Sequence, residues 1–299
     1  MGLKKRSDAP ARPRSVGVDA PAKINLYLHI TGRRGDGFHT LDSLIAFAAP
    51  GDRISAVDAP DLSLDISGPF AALLNAAPGP NLVETAARRL AELAGAPPRA
   101  HIALDKQLPV AAGIGGGSSD AAATLRALMS LWDLTPGAAE LAALALALGA
   151  DVPMCLHGKT CFAGGVGENI AAAPVLPDCA VLLVNPGISL ATPDVFRARE
   201  GDFSRPARFG QAARDARELA ELLAARRNDL EAPALALAPV IGDVLRALRA
   251  LPGCRLARMS GSGATCFALF DDELQAAHGA DMVRARHADW WISPAKFLR

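Results

Sequence analysis

Apolar and polar residues alternate along Ala22-Lys23-Ile24-Asn25-Leu26-Tyr27-Leu28-His29-Ile30, and a period of two is that of a strand. The pattern sends Ile24, Leu26, Leu28 and Ile30 toward a core. It leaves Lys23 and Asn25 together on the opposite face. A turn at Gly32-Arg33-Arg34-Gly35-Asp36-Gly37 precedes more apolar strand material from Leu41 to Ala48, and alternation returns at Leu62, Leu64 and Ile66. Asn81 is placed to cap a helix running toward Leu93, with Gly95 as its stop. His101 to Leu108 reads as a strand. After a glycine-rich stretch, Ala121, Leu125, Leu128, Met129 and Trp132 recur at helical spacing. Thr135 and Pro136 open a further helix ending near Gly149.

The second half offers a strand over Ala180 to Val184, a helix start at Thr192-Pro193, a polar helix around Arg214 to Arg226, and a helix near Asp243 to Leu251. There is no internal repeat. The mixed order of strands and helices indicates α/β or α+β. A break is expected after the glycines at 164–167, giving a disordered basic tail over 1–15, one domain over 16–168 and a second over 169–299.

Charge and composition narrow the function classes. Basic and acidic side chains balance at 31 each, which argues against a nucleic-acid partner, since that requires a basic face. Uncharged apolar runs such as Leu141 to Ala150 fall short of the ~18 residues of a membrane span. No membrane partner is expected. The five cysteines have neither zinc-ligand nor disulfide-scaffold spacing and read as free thiols in a reducing cytoplasm. Lys4, Lys5, Arg6, Arg12 and Arg14 are followed by no apolar segment of the kind an export signal needs, so a cytoplasmic location is expected.

The strongest chemical signal is Gly113-Ile114-Gly115-Gly116-Gly117-Ser118-Ser119-Asp120. Glycines let backbone N–H groups approach an anion, and the helix start that follows presents unpaired donors and the positive end of a dipole. Ser118 or Ser119 is placed to cap that helix and to reach a phosphate or a metal ion. No lysine follows the glycines as a P-loop demands. Asp133, the acid at dinucleotide-fold spacing, sits at a helix end rather than a strand end, which weakens a nicotinamide oxidoreductase. Asp151, between Gly149-Ala150 and Val152-Pro153, stands on a proline-locked corner.

Together these segments resemble a known family. Pro21-Ala22-Lys23-Ile24-Asn25-Leu26, Gly32-Arg33-Arg34 and Asp36-Gly37-Phe38-His39 are similar to the opening of the 4-diphosphocytidyl-2-C-methyl-D-erythritol kinases, relatives of galactokinase, homoserine kinase and mevalonate kinase. Leu108-Pro109 to Ala122 resembles their nucleotide motif, and Gly149 to Pro153 the motif carrying their catalytic base. Ser260-Gly261-Ser262-Gly263-Ala264-Thr265-Cys266-Phe267 resembles their third motif, and Asn228-Asp229-Leu230-Glu231 also fits. Two departures stand out: Phe38 where the family usually has tyrosine, and Ile114 for a common leucine.

The resemblance implies an α+β, two-domain small-molecule kinase fold with mixed sheets and helices packed on one side. It implies phosphorylation, by ATP with Mg²⁺, of the 2-hydroxyl of a cytidine-diphosphate-linked methylerythritol in the non-mevalonate isoprenoid precursor pathway. Asp151 would be the base and Lys23 would stabilise charge. Pro109, Val110, Ala111, Ala112, Gly113, Ile114, Gly115, Gly116, Gly117, Ser118 and Ser119 would hold ATP. Asn25, Phe38, His39, Thr192 and Phe196 would hold the second substrate, Phe38 and Phe196 flanking the cytosine with His39 at its edge. No residue is assigned to the metal, and a monomer or homodimer is expected. The alternatives are a kinase of the same superfamily acting on homoserine, mevalonate or a sugar, and a non-catalytic ATP- or ligand-binding regulator.

Overall fold

The computed structural model describes residues 14–77 and 79–298; the expected tail over 1–15 lies almost wholly outside the described residues. The first sheet holds β1 (Ser15–Arg33), β2 (His39–Val57), β3 (Ser63–Ser67), β4 (His101–Asp105), β5 (Cys161–Gly165) and β6 (Asn169–Ala172). Its order is β3-β4-β2-β5-β6, with β1 also paired to β2 and the β3–β4 pair parallel. Helices α1 (Ala71–Asn75), α2 (Leu82–Ala94), α3 (Gly116–Leu131), α4 (Ala138–Leu148) and α5 (Val152–His157) accompany it. The second sheet runs β10 (Trp291–Lys296), β7 (Ala180–Asn185), β9 (Cys266–Phe270), β8 (Leu256–Met259). It is joined by α6 (Thr192–Arg197), α7 (Ala216–Ala224), α8 (Glu231–Leu237), α9 (Val240–Arg249) and α10 (Glu273–Arg284).

Alternation sorts the core into layers. In β7, Ala180, Leu182 and Val184 pack with α8, α9 and α10, while Val181 and Leu183 turn to the other face. Cys266, Ala268 and Phe270 of β9 divide from Phe267 and Leu269 in the same way. In β2, Ile45 and Phe47 meet α2, α3 and α5, whereas Leu44 and Ala46 join Val181, Leu183 and Phe267. Each sheet therefore carries most of its helices on one face and meets the other domain on its second, where α7 also packs through Ala216, Leu219 and Leu223. Strands buried on both faces lose the polar half of their alternation, which explains the continuous apolar runs of β7 and β9.

Several expectations change in detail. The first sheet extends past the expected break at 168, because β6 hydrogen-bonds to β5. The last strand pairs with β7 and stays in the second sheet. In β1 the pairing slips between Asn25 and Tyr27. Ile24, Leu26 and Tyr27 thus fill the layer between the domains, while Leu28 and Ile30 reach the second domain's core. The strand has no solvent face there, and Lys23 and Asn25 are each 3% exposed. Neither Ser118 nor Ser119 caps α3; its N-cap is Gly115, in the left-handed region. The helix expected from Thr135 begins at Ala138 instead, where Glu140 receives the Gly137 N–H.

Candidate active site

Three chain segments meet where the domains join. Lys23 and Asn25, two apart on β1, point the same way, and Lys23 Nζ donates to Asn25 Oδ1 at 2.8 Å. Asp151 ends the α4–α5 connection as the N-cap of α5, with Pro153 in that helix's first turn. Its Oδ2 lies 2.9 Å from Lys23 Nζ; the lysine side chain is 4% exposed and the aspartate 38%. The ion pair is buried on the lysine side and open on the carboxylate side, so a ligand can reach Asp151. Asn25 is itself oriented: its Nδ2 donates to Ser43 Oγ at 2.9 Å and its backbone N–H to Ser260 Oγ at 3.1 Å.

The mouth of α3 lies beside this pair. Gly115 takes φ 64°, and a Cβ there would come within 2.9 Å of Lys23 Cε, so glycine is what lets the lysine pass. No side chain caps the helix, and its first-turn N–H groups and dipole are available to an anion. The loop before it is braced by the second domain. Ser260 Oγ donates to Gly113 O at 3.1 Å, and Thr265 N–H to Ala112 O at 3.1 Å. A Cβ on Gly113 would fall 2.5 Å from Ser260 O, which is why two glycine-rich segments can lie against each other. Asn228 ties the same brace down by donating to Met259 O and Gly261 O, both at 2.8 Å.

These parts line a cavity of 460 Å³, within the range of small-molecule sites. Leu74, Leu82, Pro109 and Val110 contribute apolar lining, Gly115, Gly116, Gly117 and Ser118 the helix mouth, and Lys23, Asn25 and Asp151 charged or polar groups. Ala111, Ala112 and Gly113 also border it. Thr192 and Phe196 reach it from α6; Thr192 Oγ1 lies 2.8 Å from Ser262 Oγ.

Four expected residues do not line the cavity: Ile114, Ser119, Phe38 and His39. Ile114 is buried in the layer between the sheets, and its carbonyl accepts the Lys23 N–H at 2.9 Å. Ser119 turns its hydroxyl to Pro21 O at 2.8 Å, leaving Ser118 as the serine on the lining. Phe38 is 62% exposed at the tip of the β1–β2 turn. His39, not Phe38, stacks on Phe196, with ring centroids 5.2 Å apart and planes 29° apart. Burial first, then the charges of Arg33 and Arg199, lower the His39 pKa from 6.5 and favour the neutral ring.

The sequence reading missed a buried cluster under α3. Lys106 Nζ contacts Asp52 Oδ2 at 2.5 Å and Asp120 Oδ2 at 2.7 Å, and Lys106 also borders the cavity. The available signal was Asp120 itself, an acid leading into the small-residue run Ala121-Ala122-Ala123. Nearby, burial and the charge of Asp151 push the Cys155 thiol far up, so it stays protonated and inert.

Two family models match the chain, GHMP kinases N terminal domain over residues 81–159 and GHMP kinases C terminal over 209–289. A 4-diphosphocytidyl-2-C-methyl-D-erythritol kinase of Paramagnetospirillum magneticum is 51% identical over 95% of this chain and 99% of its own. One of Rhodospirillum rubrum is 52% identical over 95% and 93%. A crystal structure titled 4-(cytidine 5'-diphospho)-2C-methyl-D-erythritol kinase aligns with TM-score 0.76 and 35% identity, covering 94% of this chain and 99% of that one.

Proposed function

The chain belongs to the 4-diphosphocytidyl-2-C-methyl-D-erythritol kinases, within the GHMP kinases, and on that premise we propose how its own residues carry out the reaction. It is an ATP-using kinase. The acceptor is the 2-hydroxyl of the cytidine-diphosphate-linked methylerythritol that names its relatives. Mg²⁺ enters with the nucleotide as part of the substrate.

The observation that carries the reading is the Lys23–Asp151 pair at 2.9 Å beside the uncapped start of α3. Asp151, open toward the cavity, accepts the hydroxyl proton. The hydroxyl oxygen then bonds to the γ-phosphorus, and the bond to the bridging oxygen breaks with its electron pair leaving on ADP. Lys23 neutralises charge building on the transferring group. Its hydrogen bond to Asn25 and the space over Gly115 fix its direction. The first-turn N–H groups of α3 hold the phosphates, and Leu74, Leu82 and Pro109 receive the adenine. A loose phosphoryl transition state leaves the protein mainly positioning and charge stabilisation to supply. Phe196 gives the cytosine a stacking face, and neutral His39, now resting on that face, moves to the base edge.

Among the described residues no helix is long and apolar enough to cross a membrane, and the five cysteines are free thiols; both are compatible with the cytoplasm, where we place the enzyme. A coupled ADP-release assay tests the reading, with the cytidine substrate beside homoserine, mevalonate and galactose. Turnover of the cytidine substrate alone supports it. Turnover of another alcohol removes the roles given to His39 and Phe196, and ATP binding without turnover leaves a regulator.

A further inference from the structure

Beneath the phosphate-binding mouth, three buried charged side chains make a closed set that the reaction as described does not use. Lys106 and Asp52 are 2% and 1% exposed, and Asp120 is 1% exposed. Asp52, on β2, is fully engaged. Its Oδ1 accepts the backbone N–H groups of Gln107 at 2.6 Å and Leu108 at 2.8 Å, and its Oδ2 accepts Lys106 Nζ at 2.5 Å. Asp120, in the second turn of α3, is not. Its Oδ2 accepts the same ammonium at 2.7 Å, but its Oδ1 is buried with no hydrogen-bond partner. Two ionised carboxylates sharing one ammonium would leave a buried net negative charge, and that charge would sit on the one oxygen without a donor. A buried ionised carboxylate needs its lone pairs satisfied; a protonated one sheds the excess charge and can donate to Asp52, which lies within hydrogen-bond reach of the Asp120 carboxyl.

We propose that Asp120 is a neutral carboxylic acid, that Asp52 is the ionised partner, and that together they position the Lys106 ammonium under the first turn of α3 for nucleotide binding. The lysine is well placed for this. Its Nζ would lie 3.1 Å from a Cβ on Gly116, the first residue of α3, and it borders the cavity. Glycine at 116 leaves room for the ammonium below the phosphate site. The titratable groups facing Asp120 are Lys106 and Asp52 from the sheet side and Cys155 from α5; Lys23 and Asp151 lie just beyond Cys155. Burial, opposed by Lys106 and reinforced by Asp52, pushes the Asp120 carboxyl up to about 8. Burial opposes the Lys106 charge, but Asp120 and Asp52 outweigh it and keep the ammonium. The proton on Asp120 is thus held through neutral pH and lost on the alkaline side, where a second negative charge would repel incoming phosphates.

The proposal rests on the kinase reading for its ligand but not for its proton. Difference infrared spectroscopy of the whole protein at pH 7, without nucleotide, should show a protonated-carboxyl carbonyl band that disappears in Asp120→Asn. Absence of that band, or its survival in Asp120→Asn, overturns the assignment. ATP titrations from pH 6.5 to 9.5 then test the positioning role. Wild-type Kd for Mg·ATP should rise above pH ~8, roughly ten-fold per unit once Asp120 ionises, while Asp120→Asn lacks that limb. Asp120→Asn, which keeps an oxygen for Lys106 and an N–H₂ for Asp52, should weaken ATP binding at pH 7 far less than Asp52→Asn. An alkaline limb that persists in Asp120→Asn overturns the positioning role, even if Asp52→Asn fails to fold. No ATP binding by the wild type would sink the kinase reading and the positioning role together, leaving the infrared band to judge the proton.

Discussion

Opposite halves of the Lys23–Asp151 pair should fail in opposite ways, because burial is distributed unequally across it. Lys23→Met removes an ammonium that is 4% exposed and leaves a carboxylate that is 38% exposed. Water can rehydrate that carboxylate, and the methionine fills an apolar slot without a charge to desolvate. Asn25 Oδ1, buried, loses its Lys23 donor, so the cost in stability should be about 1 kcal/mol, set by that orphaned acceptor rather than by the carboxylate. Asp151→Asn leaves the ammonium buried. Removing one partner of a fully buried pair costs about 3–5 kcal/mol. The retained amide oxygen and the Asn25 hydrogen bond at 2.8 Å bring this to about 1–2 kcal/mol. One kcal/mol moves the melting point of a protein of this size by about 2–4 °C, so Asp151→Asn should melt several degrees below wild type and Lys23→Met should stay closer to it. Activity should not follow stability. Loss of a positioned base lowers kcat by about 10²–10⁴, and loss of a charge aimed at the transition state by about 10²–10³. Scanning calorimetry and ADP release at saturating substrates read both quantities. The reasoning is refuted if Lys23→Met melts well below Asp151→Asn, or if either variant keeps kcat within ten-fold of wild type.

Gly115→Ala places a Cβ within 2.9 Å of Lys23 Cε at φ 64°; kcat should fall by at least ~10-fold as the lysine is displaced, with a stability cost of about 1–2 kcal/mol from the backbone alone. Phe196→Ala removes the ring against which His39 now stacks, and KM for the cytidine substrate should rise about 2–12-fold, a stacking worth of ~0.5–1.5 kcal/mol, while KM for ATP holds; equal effects on both would contradict the subsite assignment. Asp42→Ala strands Tyr27 OH, Ala207 N–H and Arg208 Nε, which the carboxylate now accepts at 2.8, 2.8 and 2.7 Å, so calorimetry should show a loss of about 3 kcal/mol or more.

Much of the local architecture was legible because it depends on neighbours in sequence. Asn81 accepts from Val83 N–H at 2.9 Å and Gly95 ends α2 in the left-handed region, as a cap and a stop each require. The pairing of Lys23 with Asn25 on one face followed from a period of two, and the glycines before α3 marked a helix mouth that has no side-chain cap and lines the cavity. The caps at Ser118 or Ser119 and the helix from Thr135 were misplaced by a few residues, since a side chain that could cap a helix competes with tertiary partners such as Pro21 O for the Ser119 hydroxyl.

What the chain determined by itself is therefore its elements, its glycine-bound loops and the residue types able to do the chemistry. Tertiary structure alone decided which of them converge. It carried Asp151 across 128 residues to within 2.9 Å of Lys23, set Ser260 against Gly113, turned Phe38 outward while His39 took the face of Phe196, and gathered Lys106, Asp52 and Asp120 into one buried set. The physical reason is that periodicity and capping act over a turn or a strand. Desolvation and pairing of charge depend on which surfaces close over a side chain, and those surfaces come from β1, β2, α3 and the second domain together.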